Sequence, residues 1–212
     1  MEPQEDFTQA PPQPAPSINP PRTLIIGAGS RGNAYARAVV NSTNGLVAAV
    51  AEPLALKRQL LGSKYIWKDG SPTEGQEFDD WRDFIEYERR RRARAANGED
   101  VPIGVDAVFV CTLDETHADV IRALAPLNLH IMSEKPLATT LQDCISIQRA
   151  LAPAGSPAEP SSIFAIGHVL RYSPHNMLLR KLLLQDKVIG EVISMEHTEP
   201  VGWWHFAHSY VR

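Results

Sequence analysis

Three glycines near the start of the chain stand at a spacing that suits phosphate binding. The stretch LIIGAGSRGNAYARA arranges Gly27, Gly29 and Gly32 as G-x-G-x-x-G, between an apolar run and a helix-like segment. In that context Gly27 permits a tight turn, Gly29 a close approach of a pyrophosphate, and Gly32 close helix–strand packing. Ser30 and Arg31 would open the helix, whose N-terminus offers N–H groups to phosphates. A purely structural glycine turn is the alternative.

A second apolar run, GLVAAVAEP at residues 45–53, carries an acidic residue near its end. Glu52 stands near the position, about 20 residues into the fingerprint, at which a dinucleotide site needs a carboxylate. That carboxylate would accept hydrogen bonds from the adenosine ribose and repel a 2′-phosphate, so NAD is favoured over NADP. Lys57 and Arg58 follow closely and keep NADP as the alternative.

Short apolar runs alternate with helix-like segments along most of the chain. Thr116 with Asp119, and Thr139 with Gln142, form capping boxes that predict the starts of two helices. Such alternation is typical of a parallel sheet with helices on both faces, so the sequence predicts a doubly wound α/β fold. The predicted strands are 23–26, 45–53, 105–111, 129–136 and 161–169.

The segment between the second and third predicted strands has a different character. A polar stretch rich in Gly and Pro predicts a loop with one short strand near Tyr65–Trp67. The following RDFIEYERRRRARAANG predicts an exposed helix, because Glu86–Arg90 and Glu88–Arg92 stand at the i,i+4 spacing that stabilises isolated helices. Its arginines form a solvated face in this interpretation, and a nuclear import signal is the alternative.

After residue 170 the pattern changes. Ser173 followed by Pro174 predicts a helix start, and Gly190 follows the end of that helix. Four leucines on the helix form an apolar stripe that indicates packing. The run 191–198 predicts a strand that stops before Pro200.

Composition excludes several classes of function. The net charge of −4 over 212 residues gives no basic field for nucleic acid, and no apolar stretch reaches the ~18 residues of a membrane span. Two cysteines, Cys111 and Cys144, fit a reducing compartment, so we expect a cytoplasmic protein. The clustered His and Cys pattern of a zinc site is missing from the sequence. Residues 1–21 are rich in proline and predict a disordered tail, in which a ligand for a recognition domain is the alternative.

Five motifs together resemble the Gfo/Idh/MocA family of oxidoreductases. Their order and spacing follow that family from about residue 22 to about residue 195. The resemblance implies an NAD(P)-binding Rossmann domain over 22–170 and the beginning of an incomplete C-terminal α/β domain over 171–212. The motifs are GAGSRG at 27–32, AEP at 51–53, VFVCTLDETH at 108–117, EKP at 134–136 and LRYSP at 170–174.

By the same resemblance, Lys135 is the catalytic residue. Its ammonium would stabilise the alkoxide that develops as hydride leaves the substrate alcohol, or act as a base if desolvation lowers its pKa. Glu134 would face the cofactor, and the bond before Pro136 would be cis. The resemblance also implies that Thr112 and His117 lie along the cofactor. A histidine satisfied by backbone groups is the alternative at His117.

The segment after residue 170 carries the residues implied to meet the substrate. Arg171 and Tyr172 match an arginine–aromatic pair of the family, and Trp204 and His205 are candidates to line a sugar pocket. An apolar patch that packs against another part of the protein is the alternative for the tryptophan. His168 departs from the asparagine common near that position, which leaves its role open.

The function implied is hydride transfer between NAD, with NADP as the alternative, and a secondary alcohol of a sugar, polyol or related compound. Relatives of this type extend well beyond residue 212, and their acid/base histidine has no counterpart here. We therefore expect the 212-residue chain to bind dinucleotide without measurable turnover, and a full-length form to be a homo-oligomer. A non-catalytic dinucleotide-binding regulator and an inactive truncated product are the alternatives.

Overall fold

A computed structural model describes residues 14–68, 70–152 and 162–209 of the chain. The contacts divide these residues into a unit that ends at His168 and a unit that begins at Val169. Most of the predicted tail (1–13) and of the predicted loop after residue 152 (153–161) lies outside the described residues.

The first unit is built on a six-stranded parallel sheet. Its strand order is β3-β2-β1-β4-β5-β6, and every neighbouring pair is parallel. This is the doubly wound Rossmann order, so the predicted fold class is confirmed. The strands are β1 (Arg22–Ile26), β2 (Leu46–Ala51), β3 (Glu77–Phe78), β4 (Ala107–Val110), β5 (His130–Ser133) and β6 (Phe164–Ile166).

Helices cover both faces of this sheet. Residues of β1 alternate between the faces: Leu24 and Ile26 pack with the apolar side chains of α3, α4 and α5, and Ile25 with those of α1 and α2. Each such side chain contributes about 1.5–3 kcal/mol when fully buried, so both faces hold the strand in register. The helices are α1 (Ser30–Ser42), α2 (Ala55–Tyr65), α3 (Trp81–Ala96), α4 (His117–Leu124) and α5 (Leu141–Leu151).

The end of α2 occupies the position of one predicted strand. The strand expected near Tyr65–Trp67 is wrong, because the N–H groups of Ile66 and Trp67 both donate to the carbonyl of Gly62 at 2.9 Å. These bonds close the last helical turn. The third strand of the sheet lies further on, at β3.

The start of α4 differs from the predicted capping box. The Thr116 hydroxyl bonds to the Thr112 hydroxyl and to the Leu113 carbonyl, both at 2.8 Å, and makes no cap with Asp119. A 3-10 turn, Asp114–Thr116, leads directly into the helix and takes the place of the cap.

The capping residue of α5 lies one position after the predicted one. Thr140 rather than Thr139 is the N-cap, and its hydroxyl oxygen accepts from the backbone N–H of Asp143 at 3.1 Å. The predicted Thr139–Gln142 box is therefore wrong by one residue, although a helix does start there.

Helix α3 is only partly the exposed helix that its charges predict. Glu86 and Arg90 are exposed and lie 3.6 Å apart, as expected. Glu88 is 1% exposed, and its carboxylate accepts from Arg91 and Arg92 at 2.7 Å each. Burial alone would raise the pKa of Glu88, but the hydrogen bonds from both arginines outweigh it, and the pKa lies below its ordinary value.

Replacement of Glu88 by glutamine is expected to lower the free energy of unfolding by about 1–3 kcal/mol at pH 7, since the amide loses the negative charge and one of the two oxygens that accept from the arginines. Because the folded pKa is lowered, this contribution is present above the ordinary glutamate pKa of about 4.3 and lost as the pH falls through the folded value. Urea unfolding at pH 7 and pH 3 measures the difference, which should shrink at pH 3. The exposed control Glu86→Gln should change little, and equal losses in the two variants would contradict the assignment.

The regular elements that the structure describes in the second unit are all helical. It contains a 3-10 turn (Val169–Tyr172), α6 (Pro174–Arg180) with a π-helical continuation (Lys181–Gln185), and α7 (Trp203–Ser209). The predicted helix start at Pro174 is confirmed. The predicted strand at 191–198 is wrong: these residues have no regular structure, and no strand is described between residues 169 and 209 with which they could pair.

Candidate functional site

The turn between β1 and α1 requires glycine at two of its three glycine positions. Gly27 has a φ of +93°, and a Cβ there would lie 2.6 Å from the Cys111 carbonyl oxygen. A Cβ on Gly32 would lie 2.0 Å from the carbonyl oxygen of Gly27. The loop therefore packs tightly against β4 and against the first turn of α1.

Gly29 differs from the other two because the space beside it is open. A Cβ there would meet nothing within 4 Å. Gly29 is the N-cap of α1, which has neither a side-chain cap nor an acidic residue in its first turn. The exposed Ser30 and Arg31 open the helix, so its first N–H groups are not capped by a side chain and can take an anion.

Glu52 ties the end of β2 to this loop. Its carboxylate is 7% exposed, and one oxygen accepts from the N–H of Ala28 at 2.8 Å while the other accepts from that of Leu54 at 3.0 Å. A carboxylate has about four lone-pair sites, so two remain for a ligand. The sequence located Glu52 but not its bond to the glycine loop.

A cleft of about 470 Å³ opens at the carboxyl ends of β1, β2 and β4. The order of the sheet reverses between β1 and β4, which is where doubly wound folds bind ligands, and the volume lies within the range of small-molecule sites. Its lining includes Gly27, Gly29, Glu52, Lys57, Trp81, Arg82, Cys111 and Thr112.

Arg58 is not the free cation that the NADP alternative needs. Its guanidinium is buried, with Glu77 at 2.7 Å, Asp79 at 2.6 Å and the Glu52 carbonyl oxygen at 2.6 Å. Since all three contacts hold the ends of β2 and β3 together, Arg58 has a structural role. Lys57 is exposed and lines the cleft.

The turn after β5 carries the Glu-Lys-Pro motif. Lys135 is exposed, and the Lys135–Pro136 bond is cis, as the resemblance implies. Glu134 is nearly buried and accepts a hydrogen bond of 2.6 Å from the hydroxyl of Tyr35 in α1. Burial first, and then Glu134, raise the pKa of Tyr35, which therefore stays protonated as the donor. Nothing in the sequence indicates this bond between residues that are 99 positions apart.

His117 joins the two loops beside the cleft. Its ring is fully buried, with Nδ1 2.8 Å from the Pro136 carbonyl oxygen and Nε2 3.2 Å from that of Thr112. Both ring nitrogens are thus directed at backbone groups, which favours the alternative interpretation of this histidine. Thr112 itself lines the cleft.

Cys111 lines the cleft with a buried thiol. Burial, and to a smaller extent the charge of Glu134, raise the pKa of the Cys111 thiol to about 12, so it is protonated at neutral pH. Within the described ranges, no group of three or more His, Cys, Asp or Glu side chains could hold a metal ion. No helix in the same ranges is both long and apolar enough to cross a bilayer.

The predicted substrate residues belong to the second unit. Arg171 and Tyr172 are exposed in the 3-10 turn that opens it, and Trp204 and His205 are exposed in α7. Their assignment to a sugar pocket stays a prediction.

Comparison with known proteins identifies a family for most of the chain. Residues 21–158 match the model of a family described as "Oxidoreductase family, NAD-binding Rossmann fold". The chain is 32% identical over 99 residues to the 2,7-anhydro-N-acetylneuraminate hydratase of Escherichia coli, covering 47% of this chain and 24% of that protein. It is 28% identical over 160 residues to the inositol 2-dehydrogenase of Salmonella typhimurium, covering 75% and 40%.

Solved structures show the same fold. The myo-inositol 2-dehydrogenase of Lactobacillus plantarum superposes with a TM-score of 0.64 at 19% identity, covering 82% of this chain and 44% of that one. The myo-inositol dehydrogenase of Lactobacillus casei, solved with NAD(H) and myo-inositol, gives 0.60 at 20% identity, with 81% and 42% covered. The chain thus spans less than half the length of each relative described.

Proposed function

The chain belongs to the Gfo/Idh/MocA family of oxidoreductases, and we propose that it binds NAD(H) and serves hydride transfer to or from a secondary alcohol of a sugar or polyol. Two neighbouring features carry the proposal. The first turn of α1 has no side-chain cap and has open space beside Gly29, and the buried carboxylate of Glu52 is hydrogen-bonded to the same loop. A pyrophosphate and a ribose need these two groups side by side.

Each residue has a role in this proposal. The N–H groups at Gly29 and Ser30 bind the phosphates, and the remaining lone pairs of Glu52 accept from the adenosine ribose hydroxyls. Tyr35 holds the carboxylate of Glu134, which directly precedes Lys135. When bound, NAD supplies the hydride acceptor. Lys135 would accept the proton of the substrate hydroxyl as hydride leaves the carbon for NAD, and in the reverse direction its ammonium would stabilise the negative charge that develops on the carbonyl oxygen as hydride is added.

The substrate class rests on the names of the relatives. Those named inositol 2-dehydrogenase act on a cyclic polyol, which supports a polyol or sugar for this protein. One relative is named a hydratase, and hydration is the second candidate reaction. The two differ in one measurable respect, because only net dehydrogenation converts NAD to NADH in proportion to product.

Calorimetric titration with NAD and NADP tests binding, and absorbance at the NADH band over a panel of polyols and sugars tests turnover. We expect NAD to bind and to be preferred over NADP. If neither dinucleotide binds to the folded chain, the proposal is wrong. Product without NADH would favour the hydratase alternative.

Replacement of Glu52 by glutamine is expected to weaken NAD binding by about tenfold and to narrow the preference over NADP, because the neutral amide accepts more weakly and no longer repels a 2′-phosphate. Titration of both dinucleotides into both proteins measures this. The exposed Glu86→Gln should leave both affinities unchanged. Tighter binding of NADP by the unmodified chain would overturn the role given to Glu52 and would favour Lys57.

A further inference from the structure

Two residues at the start of α3 line the cleft without a role in the proposal so far. Trp81 is half-buried and packs against the core, whereas Arg82 is largely exposed. The Arg82 guanidinium lies over the Trp81 ring, with its carbon 4.0 Å from the ring centroid. That distance is typical of a stacked cation and indole.

The stack rests on a fixed helix end. Asp80 is the N-cap of α3, and its carboxylate accepts from the backbone N–H of Arg82 at 2.8 Å and lies 3.2 Å from the Arg82 guanidinium. Asp83 completes the capping box by accepting from the N–H of Asp80 at 3.0 Å. The ion pair with Asp80 and the contact with the indole of Trp81 therefore both restrain the guanidinium.

Much of the Arg82 side chain remains accessible. It is 65% exposed although its guanidinium carbon lies 4.0 Å from the centroid of the indole. In the same cleft, the proposed function assigns Gly29 to the pyrophosphate and Glu52 to the adenosine ribose. The adenine base attached to that ribose is planar and has no contact assigned so far. A purine is planar and stacks favourably on a guanidinium plane.

We propose that Arg82 binds the adenine base of the dinucleotide by stacking, and that Trp81 is the positioning residue that holds its guanidinium flat. This inference rests on the proposed NAD binding and adds a residue that recognises the base. The stack is layered: the indole of Trp81, the guanidinium of Arg82, then the purine. Charge alone does not suffice in this arrangement, because the contact needs a flat cation.

The variant R82K tests the flat cation, since lysine keeps the charge and loses the plane. We expect ADP-ribose to bind about five- to tenfold more weakly to R82K, the range of a lost stacking contact. Inorganic pyrophosphate, which has no base, should bind both proteins within about twofold of each other by competition titration. The control R90K changes an exposed arginine on the same helix that does not line the cleft, and should alter neither affinity.

Two variants of Trp81 separate positioning from folding. W81F retains an aromatic face and should bind ADP-ribose within about threefold of the unmodified chain, whereas W81L fills the core space without that face and should resemble R82K. The double variant W81L/R82K should be no weaker than either single variant, because both remove the same stack. In the unmodified chain ADP-ribose should quench the emission of Trp81, and this change should be absent from W81F.

The outcomes distinguish the two proposals. If the unmodified chain does not bind ADP-ribose, NAD binding and this inference both fail. If it binds but R82K binds equally well, only the role of Arg82 is overturned. Equal weakening of ADP-ribose and pyrophosphate in R82K would mark Arg82 as a phosphate contact, and additive losses in the double variant would overturn the role of Trp81.

Discussion

Replacement of Gly29 by valine is expected to weaken NAD binding by at least about 100-fold while the chain stays folded. The φ of Gly29 is −74°, which any residue adopts, and a Cβ there meets no atom within 4 Å. The protein therefore tolerates a larger side chain at this position. The pyrophosphate does not, because the valine methyl groups would fill the space beside the first N–H groups of α1.

Calorimetry with NAD and thermal unfolding by circular dichroism measure the two parts of this prediction. The smaller change Gly29→Ala should have an intermediate effect on affinity, in proportion to the space that it fills. Gly32→Ala is the opposite control: its Cβ would lie 2.0 Å from a backbone oxygen, so it should lower the unfolding temperature. Unchanged NAD affinity in Gly29→Val would remove the assignment of this loop to the cofactor.

The features that the sequence predicted correctly depend on residues that are close to one another in the sequence. The apolar runs that became β1, β2, β4, β5 and β6 are buried on both faces or pair with such strands, and continuous apolar character is a local signal. The glycine spacing is also local, since a tight turn and a helix start are fixed within six residues. Glu52 follows from its position at the end of β2.

The features that the sequence missed depend on contacts across the sheet. Tyr35 lies in α1 and Glu134 follows β5, and nothing near either residue indicates that they bond. Arg58 looked like a cation free for a phosphate, yet the ends of β2 and β3 bring two carboxylates to it. Trp81 and Arg82 enter the cleft only because α3 begins beside the carboxyl end of the sheet.

The two wrong strands have different physical causes. Near Tyr65–Trp67 the aromatic residues have high strand propensity, but the preceding helix extends into them through bonds to Gly62. At 191–198 the apolar residues suit a strand, but a strand is stable only against a neighbour, and the described residues of the second unit include none. The strand propensity of a residue indicates neither whether a preceding helix extends into it nor whether a neighbouring strand is available for pairing.

The largest effect on catalysis is expected at Lys135. In a form of the protein that turns over in the polyol panel, replacement of Lys135 by alanine should lower kcat by about 10²–10⁴, the usual range for a lost acid–base group. The affinity of the Lys135→Ala variant for NAD should differ from that of the unmodified protein by less than about threefold. In the proposed mechanism Lys135 acts on charge that develops only in the transition state, whereas the phosphates and the adenosine would be bound by Gly29 and Glu52, after β1 and β2.

The arginine variant sharpens this test. Lys135→Arg keeps a positive charge but cannot release a proton at any accessible pH, so it separates charge stabilisation from proton transfer. If charge alone matters, Lys135→Arg should recover part of the lost kcat at all pH values. If proton transfer matters, it should remain near the alanine variant, and the unmodified enzyme should show a pH dependence of kcat that both variants lack. Equal losses in kcat and NAD affinity for Lys135→Ala would instead assign this exposed lysine to cofactor binding or to the fold of its turn, and would remove it from the chemistry.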